Sequence, residues 1–203
     1  MVFQPYCGEE FDKVLALYDT HVWGRDKSYS QDQINAISLL WRLEIAGVGV
    51  GARWQDLSTQ VAARTYMNDQ PFLDMQYVFA LARGGKQDKL TALIEGMEKR
   101  IETAPKLTQT VWGDVATPAA KAFVSYAEGD YGKCLTLLAP ARSQLQLIGG
   151  SHAQRDLFEQ VWIDSLLKAK RKSEAIELLQ ARLDFRRPVP SDVSWLDRAR
   201  ATI

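Results

Sequence analysis

The chain has few of the residues that build metal centres and disulfide frameworks. Its 203 residues include only two cysteines and two histidines. Cys7 and Cys134 lie far apart, and no zinc-ligand spacing can be assembled from so few side chains. We therefore expect no metal and no cofactor. Cys134 falls where the helical pattern requires a small buried side chain, which predicts a reduced structural thiol.

The sequence also has no excess charge of either sign and no long hydrophobic run. Lysine plus arginine and aspartate plus glutamate both number 25, so no surplus of positive charge attracts a nucleic-acid backbone. The most apolar segment, residues 34–46, is interrupted by Arg42 and Glu44. No basic stretch followed by an apolar run stands at the start of the sequence. These features predict a cytoplasmic protein with neither nucleic acid nor membrane as a partner.

The motifs of the common enzyme classes are missing as well. The sequence contains no glycine-rich phosphate loop, no G-x-S-x-G nucleophile elbow and no cysteine paired with a nearby histidine. The residues that common nucleophilic and nucleotide-dependent mechanisms require are therefore not found. We predict no catalytic residue and favour a non-enzymatic role.

Helical periodicity dominates what is present. Apolar residues recur at three- and four-residue steps, and glycines and prolines separate these runs, which indicates an all-α fold. We predict one domain over residues 1–203, with helical hairpins at about 9–66, 71–102, 118–147 and 151–184. A terminal cap helix is expected at about 191–202.

A turn followed by a helix recurs along the chain at a nearly constant interval. Its clearest copy is Gly129-Asp130-Tyr131 with Cys134 and Leu138. Similar patterns occur at Phe11/Val14/Tyr18, Gln87/Leu90/Ile94 and Lys172/Ala175/Leu179. Tyr131 lies 44 positions after Gln87, and Lys172 lies 41 after Tyr131, slightly more than a tetratricopeptide repeat. The pattern predicts tetratricopeptide-like hairpins stacked as a short right-handed solenoid.

Several local features predict how individual helices begin and pack. Ser30 and Gln33 have the spacing of a capping box, and Thr117-Pro118 has that of an N-cap followed by proline at the first helical position. Apolar residues surround most of the helix that follows Ser30, so we expect it to be packed on several sides. The stretch 103–113 is the weakest part of the pattern and is predicted to be a loop or a short helical spur.

One polar segment suggests a ligand site at the start of a helix. In the run from Gly149 to Asp156, the glycines end one helix, and Ser151 with Gln154 forms a capping box for the next. His152 and Asp156 are four residues apart and so share one side of that helix, where the carboxylate is expected to orient and partly charge the imidazole. The predicted ligand-binding residues are Ser151, His152, Arg155, Asp156 and Arg42. They favour an anion or a peptide carboxylate; the alternative is a hydrogen-bond network that locks two hairpins together.

A second set of residues is predicted to bind a partner on the concave side of the stack. The first helix of each hairpin would form most of this side. These residues are Tyr77, Arg83, Lys121, Tyr126, Arg155 and Asp164. Trp112, beside Gly113 and Asp114 in the weak stretch, is the candidate for a surface anchor. The other tryptophans are spaced for core packing rather than base stacking.

Three functions remain open from the residues alone. The leading hypothesis is a non-enzymatic helical-repeat scaffold that binds a protein or a peptide. The second is an enzyme, or the remnant of one, with a polar pocket around His152, Arg155 and Asp156. The third is a self-assembling module, because the first helix has an apolar face that either residues 1–8 or a second copy must cover. A homodimer through the N-terminal hairpin would cover this apolar face.

Two segments resemble a known family. The run from Gly149 to Asp156, together with Ser38-Leu39-Leu40-Trp41-Arg42-Leu43-Glu44, is similar to the tetratricopeptide repeat protein 38 family. Members of that family are about twice this length, and the likeness is to their C-terminal half. The resemblance implies a helical repeat fold and little about biochemical role. The family has a histidine soon after its Phe-x-Asp pattern, where this chain has Gln76.

Overall fold

The computed structural model describes residues 8–24, 26–185 and 189–201. Within these ranges the chain is all-helical and contains no β-strand, which confirms the all-α part of the predicted fold class. The α-helices are α1 (Gly8–Leu17), α2 (Ser30–Ile45), α3 (Arg53–Val61), α4 (Pro71–Arg83), α5 (Gln87–Thr103), α6 (Lys106–Thr110), α7 (Thr117–Ala127), α8 (Tyr131–Arg142), α9 (His152–Lys168), α10 (Lys172–Phe185) and α11 (Pro190–Ala201). π-Helical turns at Tyr18–Val22 and Val111–Ala116 follow α1 and α6, and short 3₁₀ turns at Ala62–Arg64 and Leu145–Ile148 lie near the ends of α3 and α8.

Four helix pairs are joined by the same kind of turn. The pairs are α2–α3, α4–α5, α7–α8 and α9–α10. Each turn has a left-handed residue, in chain order Gly47, Gly85, Gly129 and Lys170. The amide of the following residue donates to the carbonyl five positions earlier, at 2.8 to 2.9 Å in all four turns. This is the Schellman arrangement, which satisfies the last carbonyls of a helix. The four helical hairpins therefore share one turn conformation and one pattern of turn hydrogen bonds.

The second helices of three hairpins begin where the sequence pattern recurs. α5, α8 and α10 start at Gln87, Tyr131 and Lys172. The residues three positions further on, Leu90, Cys134 and Ala175, are all buried. The recurring pattern of a helix start followed three positions later by an apolar or small residue thus reflects the burial of that residue in each of the three helices.

α2 occupies a central place among the first helices of the later hairpins. The indole of Trp41 stacks on Phe79 of α4, with ring centroids 3.5 Å apart and planes within 7°. The edges of Phe123 of α7 and Phe158 of α9 approach the same indole, at centroid distances of 5.1 and 6.5 Å. α2 is buried on several sides, as its sequence predicts.

This central position departs from a simple linear stack. α2 belongs to the first predicted hairpin and α9 to the last, yet the two helices contact each other. In a solenoid each repeat contacts only its neighbours. The right-handed solenoid is therefore not shown, and only the repeated hairpins of the prediction are found.

Two predicted N-caps are wrong, although α2 and α7 begin at Ser30 and Thr117. Tyr29 rather than Ser30 is the N-cap of α2, and it makes no side-chain cap. The side chain of Gln33 donates instead to the carbonyl of Lys27, at 2.9 Å. Thr117 is buried and helical, not an N-cap, because the chain continues without a break from α6 through the wide π-turn into α7. Such a turn accommodates the missing amide of Pro118.

The two ends of the chain bear on the remaining predictions. α11 buries Trp195 and Leu196 and packs against α10, at the position expected of the cap helix. At the other end, the prediction that residues 1–8 cover an apolar face lies largely outside the described residues, as does Cys7. Cys134 is buried, as expected of a structural side chain.

Candidate functional site

The predicted ligand-binding residues line one cleft beside the start of α9. This cleft has a volume of about 650 Å³, which is the size of a typical small-ligand site. We call it the arginine cleft, and its lining residues are Arg42, Arg142, Leu145, Gln146, His152, Ala153, Arg155, Asp156 and Glu159. Four of the five residues predicted from sequence are among them.

The fifth predicted residue, Ser151, builds the start of α9 instead. Its hydroxyl accepts from the amide of Gln154 at 3.2 Å, and the Gln154 side chain accepts from the Ser151 amide at 2.8 Å. The predicted capping box is therefore confirmed. Gly149 and Gly150 before it both have positive φ, and a Cβ on Gly150 would lie 2.8 Å from the ring of Phe72. This close approach fixes where α9 begins against α4.

Two arginines of the cleft are held by backbone carbonyls. Arg155 donates through Nη1 to the carbonyls of Gly149, at 3.0 Å, and Gly150. Arg42 donates through Nη2 to the carbonyl of Ala153, at 2.9 Å. Neither guanidinium forms an ion pair with a carboxylate in the part of the chain that the structure describes. Burial lowers the pKa of Arg42, and the charge of Asp156 acts in the opposite direction.

The carboxylates of the cleft, in contrast, have cationic partners. Glu159 receives a forked contact from Arg142, with Nη2 at 2.7 Å and Nε at 3.2 Å. Asp156 accepts from Arg182 of α10 at 2.9 Å and from Gln160 at 2.8 Å. Both negative charges are thus offset, whereas Arg42 and Arg155 contribute positive charge without a carboxylate partner. The cleft is electrostatically suited to an anion.

The predicted pairing of His152 with Asp156 is wrong. The two residues line the same cleft, but the imidazole is exposed and forms no hydrogen bond with a described residue. Arg182 and Gln160 bind the carboxylate that the sequence assigns to His152. A full positive charge on the neighbouring helix is the stronger partner for a carboxylate. His152 therefore stands at the edge of the cleft as an accessible donor.

The predicted concave binding residues are mostly used inside the protein. Tyr77 is buried and donates to Gln33 of α2 at 2.8 Å, and burial raises the pKa of its phenol to about 12. Arg83 forms an ion pair with Glu44, also on α2. Tyr126 is buried and donates to Asp164 of α9, and burial raises the pKa of this phenol. Contrary to the prediction, the two tyrosines offer a partner almost no surface, because they are buried and α2 and α9 occupy their hydroxyls. Arg83 is exposed, and its role in binding a partner stays a prediction.

The last two predicted partner residues differ in exposure. Lys121 is partly exposed on α7 and forms an ion pair with Glu98 at 2.7 Å. Trp112 is only 2% exposed and lies beneath the guanidinium of Arg100, at 5.9 Å from the ring centroid. The prediction of Trp112 as a surface anchor is wrong, because the π-turn places its indole in the core.

A second cleft, of about 420 Å³, lies beside the hairpin turns. Its charged lining residues include Glu44, Arg83 and Lys168. Arg83 pairs with Glu44, and Lys168 pairs with the nearby Asp164 at 2.8 Å. The Lys168 ammonium also lies 4.9 Å from the ring centroid of Tyr131. Because these two cations are satisfied internally, this cleft provides a weaker signal for a ligand than the arginine cleft.

Sequence reasoning missed Arg142 and Glu159. They lie on α8 and α9 and meet only through the fold, so no local spacing indicates them. Among the described residues, no group of three or more histidine, cysteine, aspartate or glutamate side chains is arranged to hold a metal ion. In the same residues, no helix has the length and apolar character needed to cross a bilayer.

Comparison with known proteins gives no assignment. No protein-family model matches this chain, and no solved structure matches it. The resemblance to the tetratricopeptide repeat protein 38 family therefore stays a prediction that depends on the sequence segments alone.

Proposed function

We propose that this protein is a non-enzymatic helical scaffold that binds a carboxylate of a peptide or protein partner in the arginine cleft. One observation carries the proposal: Arg42 and Arg155 are oriented by backbone carbonyls and have no carboxylate partner among the described residues. Each guanidinium has five N–H donors in a rigid fork, so donors remain for a ligand. That fork matches the two oxygens of a carboxylate.

The arrangement lowers the cost of binding. Backbone contacts already hold both arginine side chains. Ligand binding therefore costs less side-chain conformational entropy than it would with mobile surface arginines. The start of α9 faces the same cleft, and the unpaired amides of a helix N-terminus favour negative charge. His152 adds a donor at the edge of the cleft.

A nucleic-acid partner fits these observations less well. The chain has a net charge of zero, and Arg142 in the cleft is already neutralised by Glu159. Nucleic-acid binding depends on an extended surface of basic residues that contacts many phosphates. A single cleft with two available guanidiniums suits a short acidic segment of a partner.

Binding of a small acidic peptide tests the proposal. Fluorescein-labelled tetraglutamate, with tetraglutamine as the neutral probe, is titrated with the protein and followed by anisotropy. We expect tetraglutamate to bind and tetraglutamine not to bind. Arg42→Gln with Arg155→Gln should weaken binding by about a hundredfold, since a hydrogen bond to a charged group contributes roughly 1.5 to 3 kcal/mol. Inorganic phosphate as a competitor shows whether the cleft distinguishes carboxylate from phosphate.

A matched control removes the same charge from another face. Lys99→Gln with Lys121→Gln should leave the affinity for tetraglutamate nearly unchanged, and this pair also tests the predicted role of Lys121. If both double variants lose affinity equally, net charge rather than the cleft is responsible and the proposal fails. Tetraglutamate that does not bind the unmodified protein also refutes it.

His152→Ala separates a ligand site from a structural lock. The imidazole is exposed and forms no hydrogen bond with a described residue, so we expect unchanged thermal unfolding together with weaker tetraglutamate binding. A large fall in stability would support the lock. The enzyme alternative lacks support from this geometry, because Asp156 is bonded to Arg182 and does not orient the imidazole. Light scattering tests the self-assembling alternative, which requires a dimer.

A further inference from the structure

A buried arginine connects the arginine cleft to the C-terminal helix. Arg182 of α10 donates through Nε to Asp192 Oδ2 at 3.1 Å and through Nη2 to Asp156 Oδ1 at 2.9 Å. Asp192, in the first turn of α11, is fully buried with 0% exposure. The guanidinium of Arg182 thus contacts two carboxylates. Asp192 anchors α11, and Asp156 lines the cleft.

The position of Asp156 matters because its charge reaches Arg42. Both residues line the cleft, and the charge of Asp156 opposes part of the lowering of the Arg42 pKa that burial causes. An aspartate that pairs with Arg42 would neutralise one of the two cations available to a ligand. Arg182 competes for the same carboxylate from the adjoining helix, with side-chain exposures of only 13% for Arg182 and 23% for Asp156. Because water screens such a pair weakly, the competition is effective.

We propose that Arg182 is a positioning residue of the arginine cleft: it binds Asp156 and so keeps Arg42 free to bind an anionic partner. Asp192 holds Arg182 in place, so docking of α11 supports the affinity of the cleft. This inference rests on the proposed function of the cleft. It assigns Arg182 and Asp192 to ligand recognition although neither residue lines the cleft.

The size of the effect follows from the charges. With Arg182 in place, Arg42 and Arg155 contribute two uncompensated positive charges, because Asp156 and Glu159 have other partners. Without Arg182, Asp156 loses this ion pair, and its negative charge then offsets one of them. A unit charge a few ångströms from a bound anion near a protein surface changes affinity by at least about tenfold.

The test uses tetraglutamate and variants that preserve charge balance. Arg182→Met alone would leave Asp192 buried without its cation, which strongly destabilises a fold. The double variant Arg182→Met with Asp192→Asn removes one charge of each sign. We expect it to bind tetraglutamate at least about tenfold more weakly. Adding Asp156→Asn should restore the affinity, because the released carboxylate is then absent. A purely structural role of Arg182 would not be rescued in this way.

The outcomes distinguish this inference from the proposed function. If the double variant is folded by circular dichroism and binds as tightly as the unmodified protein, the inference is wrong and the cleft proposal stands. A triple variant that stays weak also overturns the inference. If the double variant does not fold, Asp156→Asn alone decides: we expect tighter binding, since the cleft loses one negative charge while Arg182 keeps Asp192 as its partner, and equal or weaker binding contradicts the inference. Lack of tetraglutamate binding by the unmodified protein refutes the proposed function itself.

Discussion

Asp74 is a buried carboxyl group whose ionisation should control the pH dependence of stability. It lies in the first turn of α4 and is 3% exposed. Its Oδ2 atom is buried and has no hydrogen-bond partner among the described residues. Desolvation by burial raises the pKa of this carboxyl group to about 7, and the nearby Asn68 and Arg100 offset only part of that effect.

The magnitude and sign follow from linkage between ionisation and folding. The unfolded chain releases this proton near its ordinary pKa of 3.8, whereas the folded chain keeps it until about 7. A difference of about three pKa units corresponds to about 4 kcal/mol. Because the folded state holds the extra proton between these pH values, the free energy of unfolding falls as pH rises and levels off above about pH 7. The N-terminus of α4 favours the charged form, so this figure is an upper limit.

Urea unfolding of Asp74→Asn measures the effect. Compared with the unmodified protein, the variant should gain up to about 4 kcal/mol at about pH 8 and less than about 2 kcal/mol at about pH 5. Asp88→Asn is the matched control, since Asp88 is exposed and also lies in a first helical turn. It should show no such pH-dependent gain. If the stabilities of Asp74→Asn and the unmodified protein change in parallel from about pH 5 to pH 8, the desolvation argument is wrong.

Two further predictions concern helix packing and capping. Gly84→Ala should cost more than about 2 kcal/mol in urea unfolding, because its Cβ would lie 2.3 Å from Ser58 Cβ and 2.8 Å from the Trp54 carbonyl. Gly132→Ala, on the exposed surface of α8 with open space around it, should instead stabilise by up to about 1 kcal/mol through helix propensity, and equal effects would contradict the steric reasoning. Ser151→Ala removes the capping box of α9 and should cost about 1 kcal/mol, whereas no loss would show that the cap is energetically neutral.

The helices could be predicted from sequence because local chemistry determines where they end. Glycine at Gly47, Gly85 and Gly129 supplies the left-handed residue of three hairpin turns, and α5 and α8 start directly after the turns at Gly85 and Gly129. The fourth turn uses Lys170 in the same conformation. Glycine therefore indicates such turns but is not required for them. The π-turn before Pro118 could not be predicted in this way, because a proline after threonine also fits a helix start.

The candidate site was only partly predictable for a different reason. His152, Arg155 and Asp156 belong to one helical turn, so their common location follows from sequence spacing. The partners of these residues do not, because Arg182 approaches Asp156 from α10. Electrostatic pairing between helices depends on the fold, and the sequence therefore assigned Asp156 to His152 rather than to Arg182.

The position of α2 determines where a partner can bind. Its large buried apolar residues are Ile34, Ile37, Leu40, Trp41, Leu43 and Ile45. Exposing side chains of this size costs about 2 kcal/mol each, or about 12 kcal/mol together. That cost is comparable to the entire stability of an average domain. A peptide that displaced α2 from α4, α7 and α9 would unfold the protein rather than bind it. The proposed binding surface must therefore lie beside α2, and the arginine cleft, to which α2 contributes Arg42, is such a place.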